Sequence, residues 1–167
     1  ACLPCQIASM PLDITAITNG GNRWVNKIGV ADDGVVYVGN RTTDQPTIPF
    51  VVYRWANDEP TTIATEAFKG DPFATLYPNK LAGYAMDVRG VGANTEILVS
   101  TYDANVVSVL KTTDGINFTA NEVAVTGAPI RARVRPMPIN YPSFCDSIGD
   151  FHRYLRPGTF SVLVEAN

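Results

Sequence analysis

GYAMDVRGVGANTEILVSTYDANVVSVLKTTDGINFTANEVAV, residues 83–125, is the stretch that decides the fold. It holds four short runs rich in β-branched and aliphatic residues, Ala85 to Arg89, Glu96 to Thr101, Val106 to Lys111 and Phe118 to Ala124. Gly, Asn and Asp lie between the runs, where their tolerance of turn conformations breaks one strand from the next. Four strands in a row with short connections make an antiparallel meander, the form of one propeller blade. The spacing predicts an all-β chain.

A second unit of the same form precedes it. Trp24 to Ala31 reads as a strand, Asp32-Asp33-Gly34 as a tight turn, and Val35 to Gly39 as the returning strand. Asp-Gly between two β-rich runs is the strongest short-range hairpin signal. A polar loop from Asn40 to Pro49, a strand from Phe50 to Trp55, a turn at Asn57-Asp58-Glu59-Pro60 and a Thr-rich strand from Thr61 to Phe68 complete the unit. Its segments match those of 83–125 strand for strand. The connector Lys69 to Leu81 carries Gly70, Pro72 and Pro78 and reads as an irregular crossing. Ahead of both units, Pro11 to Thr18 alternates apolar and polar residues as a strand does, with Leu12, Ile14 and Ala16 on one face.

The two units resemble blades of secreted microbial β-propellers. Thr112-Thr113-Asp114-Gly115-Ile116-Asn117-Phe118 resembles a degenerate Asp-box hairpin of sialidase-like propellers, with Gly directly after Asp and Phe in place of Trp. In that family the box is a structural turn without chemistry, and two blades do not close a ring. The last forty or so residues resemble something else. Thr126-Gly127-Ala128-Pro129-Ile130 with Gly149-Asp150-Phe151-His152-Arg153-Tyr154-Leu155-Arg156-Pro157-Gly158-Thr159-Phe160 is similar to the carboxypeptidase regulatory-like domain, a transthyretin-like β-sandwich. The family pattern runs on past the point where this sequence stops, so the resemblance implies an incomplete sandwich. The expected organisation is therefore a Cys-containing segment and strand over 1–23, two blade-like units over 24–125, and a sandwich-like segment over 125–167.

The 167 residues are 46% hydrophobic and 17% charged, which suits a folded core. A net charge of -3 argues against a nucleic-acid partner, because phosphate binding needs clustered cations. Arg131, Arg133 and Arg135 form the one basic cluster and read as a solvated strand face. With no apolar run of about 18 residues, no membrane span is expected. A start at Ala1 reads as a processed mature form. Cys2, Cys5 and Cys145 in a β-rich chain low in Lys, with sequons at Asn40 and Asn117, lead to an expectation of secretion, with these cysteines as disulfide candidates and these asparagines as glycosylation candidates. Three cysteines leave one thiol over, free to bridge to another chain.

Catalytic chemistry finds little to stand on. The regulatory-like resemblance invites a zinc carboxypeptidase, but that site needs two His, and the chain has only His152. Cys145 and His152 are better read as a disulfide half and a strand residue, and Cys2-Leu3-Pro4-Cys5 as structural, since no second pair accompanies it. Asp32-Asp33 and Asp58-Glu59 sit in turns, where neighbouring side chains point apart. Trp24 and Trp55 are the candidates for stacking on a sugar, although aromatics on strands more often pack a core. No enzyme activity and no cofactor are expected.

Unclosed blades and a truncated sandwich both leave strand edges unpaired, and unpaired edges recruit other strands. The leading expectation is thus a non-catalytic extracellular structural protein that self-associates into a fibre or surface assembly, with Pro11 to Thr18 completing a sheet in its own chain or a neighbour's. The alternative is a secreted glycan- or protein-binding module accessory to a hydrolase.

Overall fold

The computed structural model describes residues 12, 13, 17, 24–42, 45–57, 59–101, 104–126, 132–134 and 162–164, without the side chains of 24–26, 132–134 and 162–164. Cys2, Cys5, Cys145 and His152 lie outside the described residues, as does most of the sandwich-like segment.

The chain is all-β. β1 (Trp24–Val30), β2 (Val36–Arg41), β3 (Phe50–Trp55) and β4 (Thr65–Gly70) form one antiparallel four-stranded sheet in chain order. β5 (Met86–Arg89), β6 (Glu96–Ser100), β7 (Val106–Thr112) and β8 (Phe118–Ala124) form a second of the same topology. A short antiparallel pair, β9 (Ala132–Val134) and β10 (Val162–Val164), follows.

Turn chemistry explains where the strands break. Between β1 and β2, Gly34 N–H donates to Ala31 O, Val35 N–H reaches Asp33 Oδ1, and Gly34 takes a positive φ of 88°, which favours glycine. Between β7 and β8, one oxygen of the Asp114 carboxylate accepts N–H groups from Ile116 and Asn117, both at 2.8 Å. The expected strand from Thr61 starts only at Thr65. Thr62 is held back because its N–H donates to Glu59 O and its hydroxyl to Asn57 Oδ1, which prolongs the turn.

The central strands of the two sheets are apolar on both faces. β3 shows it best: every residue but Arg54 is buried. A half-solvated strand would alternate, so continuous burial marks a sheet covered on each side. On the inner faces Tyr37, Phe50, Val52 and Ala67 meet Met86, Val88, Ile97, Val99, Leu110 and Phe118 in one shared core. Each such side chain contributes about 1.5–3 kcal/mol when fully covered. The ring of Phe118 meets Tyr37 edge-on at 5.6 Å. β1 lies against β5 so closely that a Cβ on Gly29 would overlap Cγ2 of Val88.

The outer faces carry separate clusters. On the first sheet Val36, Val38, Val51, Tyr53, Trp55 and Ala64 pack with Leu12 and Ile17. Asp13 bridges Ile63 in parallel, so this part of the N-terminal segment rests on its own sheet. Strand alternation puts Leu12 and Ile17 on opposite faces, yet both pack on one cluster; Ile17 has helical-turn backbone, which resets the period. On the second sheet Leu98 and Val107 pack with Val109 and Val125, and β9 approaches β6.

The connector between the sheets belongs to the core. Phe73 is fully buried within the shared cluster. Asp71 shapes the surrounding turns, its carboxylate accepting Phe73 N–H at 2.9 Å and Asn79 N–H at 2.6 Å. Glu122 of β8 fastens the segment to the second sheet: its two oxygens accept Thr75 N–H at 2.6 Å and Leu76 N–H at 2.7 Å.

Candidate association surface

Of the four edges of the two four-stranded sheets, three carry features that discourage pairing. β4 exposes the Lys69–Glu66 ion pair at 3.3 Å. β8 presents Thr119 and Asn121 and has Glu122 committed to the connector. β5 is only four residues long. Charges and short length are the usual means by which proteins protect an edge.

β1 differs. Its Ile28 is 63% exposed and its Val30 54%, and they lie on the outer face beside their cross-strand partners Val38 and Val36 of the buried cluster. The hydrogen-bond phase of the strand follows from its turn. Ala31 N–H donates to Val35 O at 2.9 Å, which directs the main-chain groups of Gly29 and Ala31 toward β2 and those of Ile28 and Val30 away from it. The outward main-chain groups therefore belong to the residues with exposed aliphatic side chains. Among the described residues, β2 is the one strand paired with β1. Beyond Val30 the edge closes: Asp32 N–H donates to Gly90 O at 3.0 Å, and Gly90 N–H returns a bond to Asp32 Oδ2 at 2.9 Å.

The turns form a second feature. Asp33 Oδ2 accepts Gly92 N–H at 2.9 Å, and Gly115 approaches Gly92, so three turns from the two sheets interlock at one end. Val91 and Ile116 stand exposed at their tips. Four bonds to the Asp114 carboxylate, from Asn117 side chain and backbone, Ile116 backbone and Thr112, hold its pKa far below the usual range, so the turn is anionic at any working pH. Asp32 and Asp33, one of the adjacent carboxylate pairs, work as staples between turns. In the other pair Asp58 is outside the described residues, while Glu59 N–H donates to Asn57 Oδ1.

The remaining sequence candidates fall as follows. Trp55 is fully buried, and its indole N–H donates to Asp13 O at 2.8 Å, so neither ring face is open to a sugar. It is a core residue, as strand aromatics commonly are. Trp24 begins β1, and its side chain lies outside the description. Asn40 is fully buried: Oδ1 accepts Val51 N–H at 2.7 Å and Nδ2 donates to Pro49 O at 3.1 Å. A glycan on that nitrogen would have no space in this packing. Asn117 is exposed, with Nδ2 donating to Asp114 Oδ2 at 2.7 Å. The sequon rule reads three residues and is blind to this difference.

Two buried polar features were not legible in sequence. Half burial on the outer face of β5 raises the Asp87 carboxyl to about 6, with the bond from Val88 N–H working against the shift. Ser108 is fully buried with an Oγ that has no hydrogen-bond partner. Among the described residues no group of three or more His, Cys, Asp or Glu is placed to hold a metal, and no helix is long and apolar enough to cross a membrane. No known family model matches the chain, and no curated protein or solved structure is significantly similar to it.

Proposed function

We propose that this protein is a non-catalytic extracellular structural protein that self-associates through an unpaired sheet edge. The observation that carries the reading is β1, where exposed Ile28 and Val30 coincide with outward main-chain groups. Water satisfies those groups in a lone molecule, but it solvates the two aliphatic side chains poorly, and a second β-strand satisfies both needs together. Secretion is supported by the three cysteines in a β-rich chain and by the exposed position of Asn117. Sedimentation velocity over a wide concentration range tests the association. Growth of the sedimentation coefficient with concentration is the expected result, and a monomer throughout refutes it.

A second reading, a glycan- or protein-binding module, is favoured by the interlocked turns with Val91 and Ile116 at their tips. Exposed hydrophobic tips on a rigid scaffold suit recognition. It predicts saturable binding on a glycan or extracellular-protein array that is lost in Val91→Ser/Ile116→Ser. Blank arrays remove it.

A further inference from the structure

We propose that Arg54, Tyr37 and Thr95, at the turn end of the core between the two sheets, form a binding site for the carboxylate group of a small organic acid. The strands bring all three to inner faces. β3 alternates without interruption, Phe50 and Val52 facing the shared core and Val51, Tyr53 and Trp55 the outer cluster, so Arg54 falls on the inner face. There it is the cross-strand partner of Tyr37, whose side chain belongs to the core. Thr95 comes from the other sheet: it directly precedes β6, two residues before the core residue Ile97, and its hydroxyl stands beside that of Tyr37.

These groups are donors short of an acceptor. Nε of Arg54 and Oγ1 of Thr95 are both buried, and neither has a hydrogen-bond partner. Among the described residues no carboxylate forms an ion pair with Arg54. Burial raises the Tyr37 hydroxyl above its ordinary value, with Arg54 and then Thr95 drawing it part of the way back, so the phenol keeps its proton at neutral pH and donates as well. Water satisfies the hydrogen bonds of such a group but brings no charge to the guanidinium. A carboxylate does both, its two oxygens matching the fork of an arginine and accepting from the neighbouring hydroxyls.

Charge and burial narrow the ligand further. Asp33 also acts on the Tyr37 hydroxyl, so one negative charge is already near the single guanidinium. That balance suits a singly charged carboxylate and opposes a doubly charged phosphate. Tyr37 and Thr95 are each 1% exposed, whereas Arg54 is only partly covered. A ligand therefore enters past Arg54, and a carboxylate on a slender stem reaches the hydroxyls where the folded surface of a protein does not. The site is separate from β1 and is independent of the association reading.

The test titrates the isotope-labelled full chain with sodium acetate at neutral pH and constant ionic strength, followed by NMR at Arg54 Nε–H and at the Tyr37 and Thr95 amides. Saturable shifts at all three are expected, with weaker binding of inorganic phosphate. Thr95→Val removes one donor at constant shape and should weaken acetate about 2- to 10-fold. The same variant should leave the unliganded protein at least as stable, because the hydroxyl it removes has no partner. Arg54→Met, read at the Tyr37 amide, should abolish binding. An Arg54 Nε–H that does not move, or that drifts without saturating, overturns the site on the wild type alone. Unchanged acetate affinity in Thr95→Val overturns it too, and phosphate bound as tightly as acetate overturns the assignment to a carboxylate.

Discussion

Replacing Asp87 by Asn should stabilise the protein at neutral pH and leave it nearly unchanged in acid. Asp87 lies on the outer face of the second sheet, paired across from Leu98, which is buried. Half burial moves its carboxyl from 3.8 to about 6. The folded state therefore keeps a proton between those values that the unfolded chain has already released. Unfolding releases that proton, so stability falls as pH rises through this window and levels off above it. Taken whole, the shift corresponds to about 3 kcal/mol, but water reaches half of the group, and screening reduces the expected cost to roughly 1 kcal/mol. In a chain of this size that is about 2–4 °C in Tm. Asn keeps the Oδ1 acceptor used by Val88 N–H and has no charge to desolvate. Thermal unfolding of both proteins at pH 4 and pH 8 is the assay. A gain of about 2–4 °C at pH 8 with little change at pH 4 is expected. Equal shifts at both pH values, or a lower Tm at pH 8, would refute the desolvation account.

Ser108→Ala removes a buried hydroxyl that has no partner, and should be neutral to stabilising by up to about 1 kcal/mol in chemical denaturation; a loss beyond that would mean the hydroxyl is bonded in solution. Asn40→Ala strands Val51 N–H and Pro49 O in the interior and should cost about 2–3 kcal/mol, read from the urea midpoint. Glu122→Gln leaves one of the Thr75 and Leu76 N–H groups with a neutral acceptor and the other facing an NH2 group that cannot accept. The expected loss is about 1–2 kcal/mol locally, seen as faster proteolysis within 71–79 with little change in global Tm.

The meanders were legible because their signals are local. Asp33-Gly34 marks the first hairpin, and Phe118 to Ala124 reads as the strand it forms. What sequence could not supply was pairing in the third dimension. Nothing in a window around Trp55 tells that Asp13 will take its indole N–H, and nothing near Asn40 tells that its amide closes the β2–β3 loop. The edge was harder still. The unit 24–68 announced unpaired edges, but choosing β1 required the Ala31–Val35 bond, because a change of one residue in phase would turn the main chain of Ile28 and Val30 inward. Asp87 likewise reads as an ordinary strand aspartate until its neighbours across the sheet are known.

The connector that Glu122 holds has one more consequence. Its tip, Leu76 and Tyr77, is exposed, while Phe73 on one side remains within the shared core. A single backbone cut between Leu76 and Tyr77 would divide the molecule into two fragments, each containing one complete four-stranded sheet. Neither fragment could cover its inner face alone, and each carries the surface that covers the other. The chain thus has the makings of a two-part reporter: halves that remain separate when dilute and reassemble into one core when something else brings them together.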